Sequence, residues 1–140
     1  MQAHLDSGYR LYAENVSTPD RPAWIAPAGL AFKHIYDGIV AQGGTPEDSG
    51  TLFHDLYTSD GSHPSLSGSY LATCVVYATL TGDDPVGLIG PGGLDATRTL
   101  ELQQAAAMTV FSNTPNIFYP WMQNTNSVTT FGNGNGSVIL

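Results

Sequence analysis

Residues 21–27 read Arg-Pro-Ala-Trp-Ile-Ala-Pro. A short apolar run with one aromatic and one β-branched residue, bounded by prolines, predicts a buried β-strand over 23–27. The flanks carry a different period. Upstream, Leu5, Tyr9, Tyr12 and Ala13 recur at spacings of three and four, which predicts a helix over 2–15; the proline-containing stretch 17–22 ends it. Downstream, Leu30, Ile35, Ile39 and Val40 lie near one side of a helix over 29–42, which Gly43-Gly44 and Pro46 bring to a stop.

Further along, 45–63 reads as a loop with short apolar pieces at Leu52-Phe53 and Leu56-Tyr57. Ser65 is the expected N-cap of a helix over 65–80, Pro64 keeps His63 out of helical geometry, and Thr81-Gly82 ends the helix. A Gly/Pro loop over 85–93 leads to a last helix over 94–112. The Asn/Thr/Gly-rich tail, 113–140, reads as a separate, flexible extension whose Gly-Asn run suits a link or a hairpin turn. A sheet needs several strands, and only one is found. Its unpaired edge predicts marginal stability or self-association through that edge.

The 140 residues suffice for one domain with a core. Net charge is −8, and the four cations Arg10, Arg21, Lys33 and Arg98 are scattered singly. Phosphate backbones and anionic membrane surfaces need clustered cations, so neither is an expected partner. No apolar run is long enough to predict a membrane span, and Met1 is followed by a polar stretch unlike a signal peptide. The lone Cys74 sits among Leu71, Val75 and Ala78 and reads as a buried, inert thiol.

Chemistry concentrates at 60–65, Asp-Gly-Ser-His-Pro-Ser. A neutral imidazole takes a proton from a hydroxyl only in the right tautomer, held in place; a carboxylate on the other ring nitrogen does both. Three residues apart in a tight loop, Asp60 can reach the ring edge of His63, and Gly61 and Ser62 are small enough to let the loop fold back. His54 and Asp55 nearby complete a loose His/Asp cluster, but no metal-binding pattern runs through it, and no metal or other cofactor is expected. The Gly90–Gly93 stretch lacks a phosphate-loop pattern and reads as a connection.

The run 56–82, LYTSDGSHPSLSGSYLATCVVYATLTG, resembles the C-terminal block of the SGNH, or GDSL-type, hydrolase superfamily, in which a D-x-x-H-P element opens the final helices. Weaker likeness extends over about 2–112, through GYRLYAE, RPAWIAPAGLAF and GLDATRTLELQQAA. The resemblance implies an α/β fold, the C-terminal portion of a flavodoxin-like three-layer α/β/α domain. It further implies an ester or acyl hydrolase acting on small esters or acylated carbohydrates or lipids, with Asp60 as triad acid, His63 as general base, and Gly68 and Tyr70 as helix-packing positions. The family's G-D-S serine block and oxyanion-hole blocks are not found. Asp48-Ser49 imitates the serine motif on paper, leaving Ser49 a weak nucleophile candidate, with Ser7 in the other Asp-Ser pair. The expectation is therefore the Asp–His part of a hydrolase, inactive alone. The alternatives are a non-catalytic binding or interaction domain on that scaffold, and one half of a split enzyme.

Overall fold

The computed structural model describes residues 2–113 and 116–126. Four α-helices account for most of them: α1 (Gln2–Val16), α2 (Ala28–Ala41), α3 (Leu66–Thr81) and α4 (Ala96–Phe111). Two 3-10 turns, His54–Leu56 and Pro120–Asn126, complete the regular structure. All four helices fall within about two residues of their expected positions, as strong periodicity and clear caps allow.

The expected α/β architecture is not what forms. Among the described residues there is no strand and no sheet, only two isolated β-bridges, Thr18 to Arg21 and Tyr57 to Pro64. Residues 23–27 form neither strand nor helix and run between α1 and α2, with a tight turn at Pro27 where the Ala28 N–H donates to the Ala26 carbonyl. The physical reason is the absence of a neighbour. A ladder needs a second chain segment to take its N–H and C=O groups, and the prolines at 22 and 27 lack an N–H. The residues of this chain that could bury an apolar face do so as helices.

Helix α3 is the centre of the molecule. It packs most extensively on α4 and also meets α2 and both 3-10 turns. Leu71, Cys74, Val75 and Ala78 join Ala31 and Ile35 of α2 and Leu102, Ala105, Ala106 and Val110 of α4 in one buried cluster. Cys74 lies inside it, and burial pushes its thiol above the ordinary cysteine range, away from nucleophilic use. The buried Gln103 on α4 is fully used. Its Nε2 donates to Tyr70 Oη (2.8 Å) and to the Leu88 carbonyl (2.7 Å), while Oε1 accepts from the Gly87 N–H (3.1 Å). One amide thus fastens α4 to α3 and to the Gly/Pro loop.

The core continues beyond α4. Asn113 brackets Ile117, donating to its carbonyl (3.0 Å) and accepting from its N–H (2.9 Å). Ile117 and Tyr119 are buried in the same cluster, and Trp121 stacks on Tyr119 at 5.5 Å between ring centroids. The Gly-Asn run at 132–136 lies outside the described residues. Among those described, no helix is long and apolar enough to cross a membrane.

Two substitutions test this packing. A Cβ on Gly68 would stand 2.2 Å from the Leu56 carbonyl oxygen and 3.2 Å from Pro64 Cβ. Alanine gains up to about 1 kcal/mol of helix propensity over glycine. A backbone oxygen cannot rotate aside, and overpacking costs about 1–3 kcal/mol. Gly68→Ala should therefore lower the urea midpoint, and an unchanged or higher midpoint would refute the close approach. The Tyr119 hydroxyl is buried with no hydrogen-bond partner among the described residues, and burial pushes its pKa up to about 12 although the charge of Arg10 opposes the shift. An unsatisfied buried hydroxyl costs about 1–3 kcal/mol. Tyr119→Phe keeps the ring and should hold or raise stability; a loss above about 1 kcal/mol would mean the hydroxyl has a partner.

Candidate active site

The loop carrying Asp60 and His63 is closed at its base by main-chain bonds. Tyr57 and Pro64 form an antiparallel bridge, the Thr58 N–H donates to the His63 carbonyl (2.8 Å), and the Ser65 N–H donates to the Leu56 carbonyl (2.9 Å). At the tip, the Gly61 N–H donates to the Thr58 carbonyl (2.9 Å) with Gly61 at φ +67°, a left-handed turn that glycine makes without strain. Ser65 then serves both neighbours. Its Oγ accepts from the Gly68 N–H as N-cap of α3 (3.3 Å) and donates to the Asp55 carbonyl (2.6 Å).

Asp60 organises the loop interior. Its Oδ1 accepts from the Thr58 hydroxyl (2.7 Å), the Ser62 N–H (2.9 Å) and the His63 N–H (3.0 Å). Its Oδ2 lies 2.6 Å from His63 Nδ1. The two backbone donors, then the imidazole and the threonine hydroxyl, hold its carboxyl far below the ordinary aspartate range. An ionised carboxylate only accepts, so His63 Nδ1 carries the hydrogen in this contact. In the neutral ring, Nε2 then holds the free lone pair. Nε2 has no hydrogen-bond partner among the described residues, and the His63 side chain is 77% exposed. Chemically this is a tautomer-locked imidazole presenting a base to solvent.

A groove of about 520 Å³ runs beside the loop, walled by Phe53 and Tyr57 and rimmed by Glu47, Thr58, Ser59 and Ser62. Phe53 is fixed edge-on against Tyr36 (5.1 Å) and Tyr57 (5.6 Å), so the wall is preformed.

Ser49 is exposed in the turns between α2 and the 54–56 turn, and no hydrogen bond joins it to Asp60 or His63. Ser7 lies on α1. Gly68 proves to be the point where α3 touches the Leu56 backbone, and Tyr70 accepts from Gln103. His54 and Asp55 do not converge with Asp60 and His63 on a metal. Asp55 Oδ2 accepts from Arg98 on α4 (2.9 Å), and His54 Nδ1 stands 3.4 Å from Asp55 Oδ1. No group of three or more His, Cys, Asp or Glu side chains able to hold a metal ion occurs among the described residues. Sequence reasoning missed Thr58 and Arg98. Thr58 is visible in hindsight as an ST-type partner two residues before Asp60. Arg98 lies 43 positions from Asp55 and leaves no local signal.

With folded-state pKa depressed, Asp60 contributes to loop order above the unfolded aspartate pKa and loses that contribution only as pH falls through its own lower value. A carboxyl NMR titration should place Asp60 well below the ordinary range, with the His63 and Ser62 amide shifts moving only in strong acid. A midpoint at or above the ordinary value would remove the three-donor arrangement. Compared with known proteins, the chain stands on this geometry alone: no family model matches it, and neither does any curated protein or solved structure.

Proposed function

We propose that this chain supplies the Asp60–His63 pair of a serine ester or acyl hydrolase of SGNH type. The observation that carries the reading is the His63 ring itself, bound to Asp60 at Nδ1 and open at Nε2. In the reaction, a serine hydroxyl gives its proton to His63 Nε2 as its oxygen attacks the ester carbonyl. Asp60 stabilises the imidazolium, and the same proton then passes to the departing alkoxide. Water repeats the sequence on the acyl-enzyme, releasing the acid and restoring the serine. The aromatic-walled groove meets the loop at Thr58, Ser59, Gly61 and Ser62 and is lined by neither Asp60 nor His63; its aromatic wall and polar rim suit an ester with an apolar part and a hydroxyl-bearing part, as in acylated carbohydrates or lipids. The nucleophile and oxyanion donors come from outside the 57–65 loop.

A second reading, an interaction domain or one half of a split enzyme, is favoured by a different observation. α1 presents Leu5, Tyr9, Tyr12 and Val16 largely to solvent. Self-association through residues 23–27, which pair with no strand among the described residues, belongs to this reading.

The protein isolated from its own cells with its partners retained should hydrolyse p-nitrophenyl acetate. His63→Ala should cut that turnover by on the order of 10⁴-fold or more, as loss of a triad base does. Equal turnover in both would remove the hydrolytic reading. The isolated chain should show no hydrolysis above the His63→Ala background. Turnover there that His63→Ala abolishes would place a nucleophile within the chain, with Ser49 and Ser7 the first to substitute.

A further inference from the structure

Thr58 spends every polar group it has on residues 60–63. Its N–H donates to the His63 carbonyl (2.8 Å), its carbonyl accepts from the Gly61 N–H (2.9 Å), and its hydroxyl donates to Asp60 Oδ1 (2.7 Å). The hydroxyl also lies 3.2 Å from the His63 carbonyl. It has one hydrogen to give, and the shorter contact to an ionised acceptor takes it.

An aspartate side chain alone does not choose which oxygen it presents. Its last torsion is broad and roughly two-fold, so half a turn exchanges Oδ1 with Oδ2. Both members of the Asp60–His63 pair are exposed, and water competes for any oxygen left free. Three donors converging on Oδ1 break that symmetry and leave Oδ2 for His63 Nδ1 at 2.6 Å. Two of the three are the N–H groups of Ser62 and His63, inside the same turn as Asp60, and they shift with it. The third comes from the opposite arm, beside the Tyr57–Pro64 bridge that closes the loop.

We propose that Thr58 is a positioning residue: its hydroxyl holds the Asp60 carboxylate with Oδ2 facing His63 Nδ1, and through Asp60 it keeps the imidazole in the tautomer that leaves Nε2 free. The bonds on Oδ1 also draw charge from the carboxylate and lower its appetite for the Nδ1 proton. That hydrogen then stays on the ring while Nε2 takes another. The consequence for turnover rests on the hydrolytic reading above; the positioning itself does not.

Thr58→Val deletes the hydroxyl but keeps a β-branched side chain and both main-chain bonds, so helical circular dichroism should match the parent. Thr58→Ala makes the same deletion and serves if Thr58→Val unfolds. In the isolated chain, proton–nitrogen correlation NMR of the neutral His63 ring should place the hydrogen on Nδ1 in the parent and move population towards Nε2 in Thr58→Val. The Asp60 carboxyl midpoint should rise towards the ordinary aspartate range, the threonine hydroxyl being one of the groups that hold it down. Thr58→Ser should restore both. In the protein isolated with its partners, Thr58→Val should cut kcat for p-nitrophenyl acetate by about tenfold and leave KM unchanged, a misplaced base costing chemistry and not binding. A His63 tautomer and an Asp60 midpoint unmoved in Thr58→Val would overturn the proposal, whatever the turnover. So would a raised KM with unchanged kcat, which would put the hydroxyl on the substrate from its place at the groove rim. Absence of turnover in the parent removes the hydrolytic reading, and the tautomer then decides the role of Thr58 by itself.

Discussion

The first turn of α3 rests directly on main chain, the Gly68 backbone lying against the Leu56 carbonyl where any Cβ would come to 2.2 Å. That contact places two neighbours. It sets the His54–Leu56 turn beside the N-terminus of α3, close enough for Ser65 to cap the helix and bond the Asp55 carbonyl with one hydroxyl. It also fixes both ends of the 57–64 loop, since Tyr57 follows the turn and Pro64 precedes the helix. Leu56, fully buried, anchors the turn from below, and the Arg98–Asp55 pair ties it to α4 from the side. The loop bearing Asp60 and His63 therefore inherits its position from the helical core, while its internal shape comes from its own side chains.

The two inheritances explain which parts were legible in the sequence. Four helices could be read because apolar residues recur at helical spacing between breaks such as Pro22, Gly43-Gly44 and Gly82, with side-chain caps at Ser65 and Asp95, even though the α1 stripe stays largely exposed. Asp60 and His63 could be read because their contact spans three residues and needs only a small-residue turn between them. Residues 23–27 misled because composition reports that a segment is apolar, not whether another segment lies beside it to accept its hydrogen bonds; here it forms no strand. The same blindness to distance hid Gln103, whose three bonds reach 15 to 33 positions away, and Arg98. Ile117 and Tyr119 lie in the short apolar run Ile117-Phe118-Tyr119-Pro120-Trp121-Met122, which a polar, Asn-rich tail composition masked; a run this short, broken by Pro120, has no period to read, although three-dimensional packing buries both residues.

Electrostatically the molecule is sparse, and its few charges are mostly spent locally. Arg10 meets Asp6, Lys33 meets Asp37, and Arg98 meets both Asp55 and Glu101. Exposed pairs of this kind contribute little each. Asp60 differs because its oxygens face backbone donors and a ring nitrogen instead of a lysine or arginine. Its negative charge is stabilised without a cation that would compete for the imidazole, so what the carboxylate offers remains directed at His63.

Every hydrogen bond that shapes the Asp60–His63 loop, from Thr58 to Ser65, joins residues no more than ten positions apart. Such a unit has little loop-closure entropy to overcome and asks of its surroundings only a flat seat: a glycine in the first helical turn and a carbonyl opposite it. It is a cassette. Transplanted onto the N-terminus of another helix that begins Ser-x-x-Gly against a neighbouring backbone, it would bring its oriented imidazole with it, which makes the orientation of the base a portable property of about ten residues, while where the base stands is set by the bundle that carries them.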